Sequence, residues 1–178
     1  MIYTLIEPES AILKVPLSDV SFDNFKEQFH LTPLELKENL IESMKHHKGI
    51  GLSANQCGVM IRAFVMYTDL DNDRQQIFFN PRIIWESEET EFYEEGCLTY
   101  PYLFLNIKRP SIVEFTYQDE NGEEKTGKFA GLTSRVFQHE YDHMEGKNFT
   151  QMVSTLRLNM AKKKAIKIKR KNKWAKKN

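Results

Sequence analysis

The string Gln138-His139-Glu140-Tyr141-Asp142-His143 constrains this chain more than any other. Histidines four residues apart point the same way on a helix, about one turn apart, so both imidazoles reach one metal ion and the intervening glutamate reaches its water. A helix with that task needs other elements to close the site from further directions. In such a hydrolytic geometry the metal lowers the pKa of a water towards ~7 while the glutamate shuttles its proton. The bland alternative is two solvated histidines on an ordinary amphipathic helix, and the motif by itself names no substrate.

A site of this kind needs a third protein ligand. No histidine follows His143, and the one acid downstream, Glu145, sits too close on the same helix. The third ligand is therefore expected upstream, where Cys97 in Glu95-Gly96-Cys97-Leu98-Thr99 stands out among the candidates. The competing reading of a free cysteine is a small buried hydrophobe.

Thr32-Pro33-Leu34-Glu35 is a capping box with proline at the first helical position, and Leu36, Leu40, Ile41 and Met44 follow at helical spacing. The pattern predicts a helix over 33–47. β-Branched and aromatic residues predict strands over 61–67 and 76–92, and Asn121-Gly122 predicts a hairpin joining 112–118 to 124–129. A second helix is expected over 133–145, with Leu132, Val136, His139, Glu140 and His143 along one face. Helix, sheet and helix together give an α+β class. At 178 residues and 40% hydrophobic, the chain is long and apolar enough for one domain with a sizeable core. No apolar run approaches the roughly 18 residues of a membrane helix. The N-terminus has no basic region and meets Glu7 early, so a cytoplasmic protein is expected, and two cysteines fit free thiols there.

Three segments stand in order: Gly49-Ile50-Gly51-Leu52-Ser53-Ala54-Asn55-Gln56, then Glu95-Gly96-Cys97-Leu98-Thr99, then Gln138-His139-Glu140-Tyr141-Asp142-His143. In this order and spacing they resemble the three signature motifs of peptide deformylase. The similarity runs from the Glu7-Pro8 region to about Thr150 and includes Asn80-Pro81. Ser53 stands where the family commonly has alanine and Thr99 where serine is usual. The segment Tyr102 to Asn106 departs from the family pattern and lacks a substrate-contacting arginine common in bacterial members.

The resemblance implies a fold of antiparallel or mixed sheets packed around a central metal-binding helix, with residues 1–150 as the catalytic domain. It implies removal of the formyl group from the N-terminal formyl-methionine of new polypeptides. Cys97, His139 and His143 would hold one divalent ion, usually iron(II), with zinc, nickel or cobalt able to replace it. Glu140 would be general base and then general acid, with the Leu98 backbone N–H and the Gln56 amide on the oxyanion. The backbone of Ile50, Gly51 and Gly96 would pair with substrate, and Ile50, Leu132 and Val136 would line the methionine pocket. Arg135, beside that pocket, is expected to point away from it. Asp142 has no evident metal role and is expected to pair with Arg109, orienting the metal helix. His46 and His47 read as a solvated helix end and Cys57 as a small buried residue.

Residues 146–178 hold 12 Lys/Arg and no acid, leaving 13 basic against 25 acidic side chains in 1–145. The basic tail, 151–178, is compatible with a helix. It reads either as a solvated like-charge run or as a dock for RNA, with Leu156, Met160, Ile166 and Trp174 adding apolar contacts. Bacterial relatives use a basic C-terminal helix at the ribosome, which makes ribosomal RNA the implied partner. Two other functions compete. A zinc endopeptidase would want a downstream third ligand, which is missing. An RNA-binding module with a structural metal would not need Glu140.

Overall fold

A computed structural model of the protein describes residues 1–175, with side chains through residue 172. The Trp174 side chain and residues 176–178 of the basic tail lie outside the described residues. The first helices are α1 (Phe25–Phe29) and α2 (Pro33–His46). α2 starts where the capping box predicts: Thr32 Oγ1 accepts from Glu35 N at 3.1 Å, and Glu35 Oε2 accepts from Thr32 N at 2.7 Å. It buries Leu36, Leu40 and Met44 and stops one residue short of the predicted end.

Seven strands follow: β1 (Gly51–Ser53), β2 (Ala63–Asp69), β3 (Arg74–Glu86), β4 (Thr90–Cys97), β5 (Tyr100–Pro110), β6 (Ile112–Gln118) and β7 (Glu124–Ala130). They form a five-stranded sheet in the order β1-β2-β3-β6-β7 and a two-stranded sheet of β4 and β5. Among the described residues every pairing is antiparallel. The β6–β7 hairpin turns at Asn121-Gly122, where Gly122 has φ +78° and Asp119 Oδ1 accepts from the N–H groups of Asn121 and Glu123.

The run expected as one strand over 76–92 is two. β3 ends at Glu86, and the Ser87 hydroxyl donates to Glu89 O at 2.8 Å while accepting from Ile112 N at 3.0 Å. That corner sends β4 into the other sheet. β5 is not among the expected elements. It alternates buried Leu103, Leu105, Ile107 and Arg109 with exposed Tyr102, Phe104, Asn106 and Lys108, a period-two pattern that Pro101 and Pro110 obscure.

The larger sheet is covered on both faces. Val65, Ile77 and Phe79 pack with Leu36, Leu40 and Met44 of α2. Phe64, Met66 and Phe78 point the other way, against α3 (Gly131–Met144), where they meet Phe115, Phe137 and Met144. The Phe115 and Phe137 rings stack with centroids 4.0 Å apart. This two-sided burial explains the unbroken apolar run in β2.

α3 lies between the two sheets and is pinned at its C-terminal end. Arg62, 2% exposed, donates to Met144 O, Leu17 O and Pro81 O and pairs with Glu145 at 2.6 Å. The tail forms α4 (Thr155–Ala175), whose Leu158, Ala161 and Ala165 pack against Leu103, Leu105 and Ile107 of β5. Its lysines at 162–164, 167 and 169 are exposed, as are Leu156, Met160 and Ile166. Among the described residues no helix is long and apolar enough to cross a membrane.

Candidate active site

Three elements deliver the functional side chains to one cleft of about 510 Å³. β1 runs into a 3-10 turn, Ala54–Cys57, carrying Gln56, and Asn55 Nδ2 ties this turn to α3 by donating to His143 O at 2.8 Å. β4 ends at Cys97, where a register irregularity after Gly96 turns the chain towards β5. α3 supplies His139, Glu140 and His143.

Cys97 Sγ lies 3.4 Å from His143 Nε2, and the ligand atoms of Cys97, His139 and His143 all lie within 4.8 Å of one another. His139 Nδ1 is engaged by Glu95 Oε2 at 3.0 Å, which leaves its Nε2 for the cluster. Burial, together with the charges of His139 and Arg109, pulls the His143 imidazole well below its ordinary pKa, so it is neutral. Burial also draws His139 down, but its hydrogen bonds with Cys97 and Glu95 outweigh that and hold it well up. One sulfur and two imidazole nitrogens converging from two elements fit a divalent transition metal with a coordination position left over.

Glu140 is 4% exposed, and burial raises its carboxyl above the usual range, partly offset by the charge of His139 and the hydrogen bond from Ser53. Ser53 Oγ donates to Glu140 Oε2 at 2.7 Å. Gln56 Oε1 accepts from Ser53 N at 2.9 Å, so its amide nitrogen faces Thr99 Oγ1 at 2.9 Å and Cys97 Sγ at 3.3 Å. Behind the cluster, Glu95 collects Arg109 at 2.6 and 3.0 Å, Arg135 at 2.7 Å and His139. Burial alone would raise the Glu95 carboxyl, but the hydrogen bonds from His139 and Arg109 dominate and hold it at about 2.

Of the residues singled out in sequence, Ile50, Gly51, Gln56, Gly96, Cys97, Leu98, Leu132, Val136, His139 and Glu140 line the cleft. His143 is fully buried beside Cys97. Arg109 and Asp142 do not line the cleft, and they pair at 2.9 Å. Arg135, expected to point away, also lines the cleft, while its guanidinium is held by Glu95, Ile107 O and Glu91 O. His47 Nε2 lies 2.9 Å from Tyr3 O and His46 is exposed, both at the end of α2. The Cys57 thiol is pushed up to about 12 by burial, with the Glu140 charge adding. Phe104 packs over Gly96, where a Cβ would come within 2.9 Å of its ring. Sequence reasoning gave Glu95 no role. The available signal was strand periodicity, which puts Glu95 on the same side of β4 as Cys97.

Comparison with known proteins bears on this geometry. The family model described as polypeptide deformylase matches residues 2–159. The peptide deformylase of Pseudothermotoga lettingae is 42% identical over 139 residues, covering 78% of this chain and 79% of that protein. That of Christiangramia forsetii is 34% identical over 182 residues, covering 94% and 90%. Among solved structures, a peptide deformylase from Legionella pneumophila superposes with a TM-score of 0.83 at 29% identity, covering 97% of this chain and 98% of that one. One from Synechococcus elongatus in complex with actinonin gives 0.79 at 32%, covering 92% and 85%.

Proposed function

The chain belongs to the polypeptide deformylase family, and from that premise we infer that its cleft is where the formyl group leaves the N-terminal formyl-methionine of new polypeptides, as formate. The convergence of Cys97, His139 and His143 beside the buried Glu140 is the observation that carries the reading. The family is metal-dependent. Cys97 Sγ and the Nε2 atoms of both histidines would hold the ion, iron(II) natively, with zinc, nickel or cobalt as substitutes. When bound, the ion supplies Lewis acidity that polarises a carbonyl oxygen and brings the pKa of a water towards ~7.

The chain's own groups do the rest. Glu140 takes a proton from the attacking water as its oxygen bonds to the formyl carbon, then delivers it to the departing amine as the C–N bond breaks. The products are formate and a free α-amine. Burial raises the Glu140 carboxyl, the direction that favours its holding that proton between the two steps. Gln56 Nε2 and the Leu98 backbone N–H stabilise the oxyanion, Gln56 by turning one N–H from Thr99, and each such donor is worth ~10²–10³ in rate. The Glu95 hydrogen bond fixes the tautomer and aim of His139. Asp142 acts one step further out, holding Arg109 against Glu95.

For substrate, the backbones of Ile50, Gly51 and Gly96 border the cleft for strand-like pairing. Ile50, Leu132 and Val136 line it for the methionine side chain. The exposed lysines of α4 support docking on ribosomal RNA, where nascent chains emerge in the cytoplasm. The test is formate release from a formyl-Met-Ala-Ser peptide by protein prepared anaerobically with ferrous iron, beside Glu140→Gln. Release by the wild type with a silent, metal-loaded Glu140→Gln is expected. Equal release by both would remove Glu140 from the reaction.

A further inference from the structure

The two oxygens of the Glu140 carboxylate are not equivalent. Oε2 accepts the Ser53 hydroxyl at 2.7 Å, and among the described residues no other side chain or backbone group hydrogen-bonds to this carboxylate. Oε1 lies over Gly51, so close that a Cβ built there would sit 2.5 Å from it and 3.0 Å from the Glu140 Cδ and Cγ atoms. Gly51 lines the cleft, whereas Ser53 is fully buried and does not. The bonded oxygen therefore faces the protein and the free oxygen faces the cleft.

We propose that β1 is a seat for the general base, in which the Ser53 hydroxyl holds Oε2 and the bare Cα of Gly51 leaves room for Oε1 to face the reacting water. Ser53 is then a positioning residue that never touches substrate. The inference rests on the reading of Glu140 as the base.

A carboxylate on a glutamate side chain turns about a broad, weakly restrained terminal torsion, so packing alone leaves its two oxygens free to exchange places. A charge-assisted O–H···O bond removes that freedom and keeps one set of lone pairs aimed at the substrate side. The same residue sets a second polar group of the cleft, because Ser53 N donates to Gln56 Oε1 and so turns the Gln56 amide nitrogen towards Cys97. A single strand end thus registers base and oxyanion donor against each other.

Ser53→Ala and Ser53→Thr in the metal-loaded, full-length protein test the proposal. Ser53→Ala is expected to lower kcat for formyl-Met-Ala-Ser about tenfold, the order of one charge-assisted hydrogen bond, with KM and metal content unchanged. Ser53→Thr, which keeps the hydroxyl, is expected to retain most of kcat. Wild-type kcat in Ser53→Ala, or a loss expressed through KM or metal content, would overturn the proposal. So would a crystal structure of Ser53→Ala in which the Glu140 carboxylate keeps its place. An active Glu140→Gln would instead overturn the reading of Glu140 itself, so the two failures are distinct.

Discussion

Replacing Glu95 by alanine removes the hub behind the metal cluster. Its carboxylate, 6% exposed, accepts from Arg109 Nε and Nη2, Arg135 Nη1 and His139 Nδ1, all at 3.0 Å or less. Without it Arg109 keeps Asp142 at 2.9 Å, but Arg135 is left with the carbonyls of Ile107 and Glu91 and the face of the Tyr93 ring. Breaking a buried ion pair by deleting one partner costs ~3–5 kcal/mol, because the surviving charge stays desolvated. The remaining contacts of both arginines put this case near the lower end, about 3 kcal/mol. Urea denaturation at neutral pH, on metal-loaded and chelated protein, reads that loss. A second readout separates stability from function: His139 loses the acceptor that fixes its tautomer, so metal affinity should fall ~10–100-fold. A Glu95→Ala protein within about 1 kcal/mol of wild type and with unchanged metal affinity would refute the reasoning.

Phe137→Ala empties the centre of the core between α3 and the sheet, where Phe137 is fully buried against Phe64, Phe78 and Phe115, and should cost ~3–5 kcal/mol by denaturant titration. The Cys57 thiol, pushed up to about 12, stays protonated at pH 8, so iodoacetamide should leave it unmodified in the folded protein and label it in urea. Labelling at equal rates in both states would contradict that. Asp142→Asn keeps the shape but weakens the hold on Arg109, and should lower turnover and metal retention by less than Glu95→Ala does. Unchanged turnover and retention would show that Asp142 has no part in orienting the helix. Changing Lys162, Lys163 and Lys164 to glutamine should weaken co-sedimentation with ribosomes and flatten its salt dependence, leaving peptide turnover intact.

The sequence was most legible where one local rule decided the outcome. The capping box placed α2 to within a residue, and Asn121-Gly122 placed the β6–β7 turn. The i, i+4 histidines could be read because helical geometry alone brings them together. Less legible was whatever depended on packing across elements. The run expected as one strand over 76–92 is broken by the polar stretch Glu86-Ser87-Glu88-Glu89-Thr90-Glu91, which marks a corner at Ser87, but periodicity does not reveal that β3 and β4 belong to different sheets. The alternation of β5 is blurred by its two prolines and by the outward aromatics Tyr102 and Phe104, and its inward Arg109 reads as a surface residue until Glu95 is known to face it. The Ser53 contact with Glu140 joins residues 87 positions apart, and nothing local marks it. The tail's charge was plain, whereas the narrow stripe of Leu158, Ala161 and Ala165 that docks it on β5 emerges only with β5 in place.

The most direct measurement is metal content, taken on wild type, Cys97→Ser and Cys57→Ser after anaerobic loading with ferrous iron and removal of free metal. One equivalent in the wild type and in Cys57→Ser, with little retained by Cys97→Ser and its formate release lost, is the expected result, since only Cys97 lies with His139 and His143. A full equivalent of iron retained in Cys97→Ser would contradict the three-donor site.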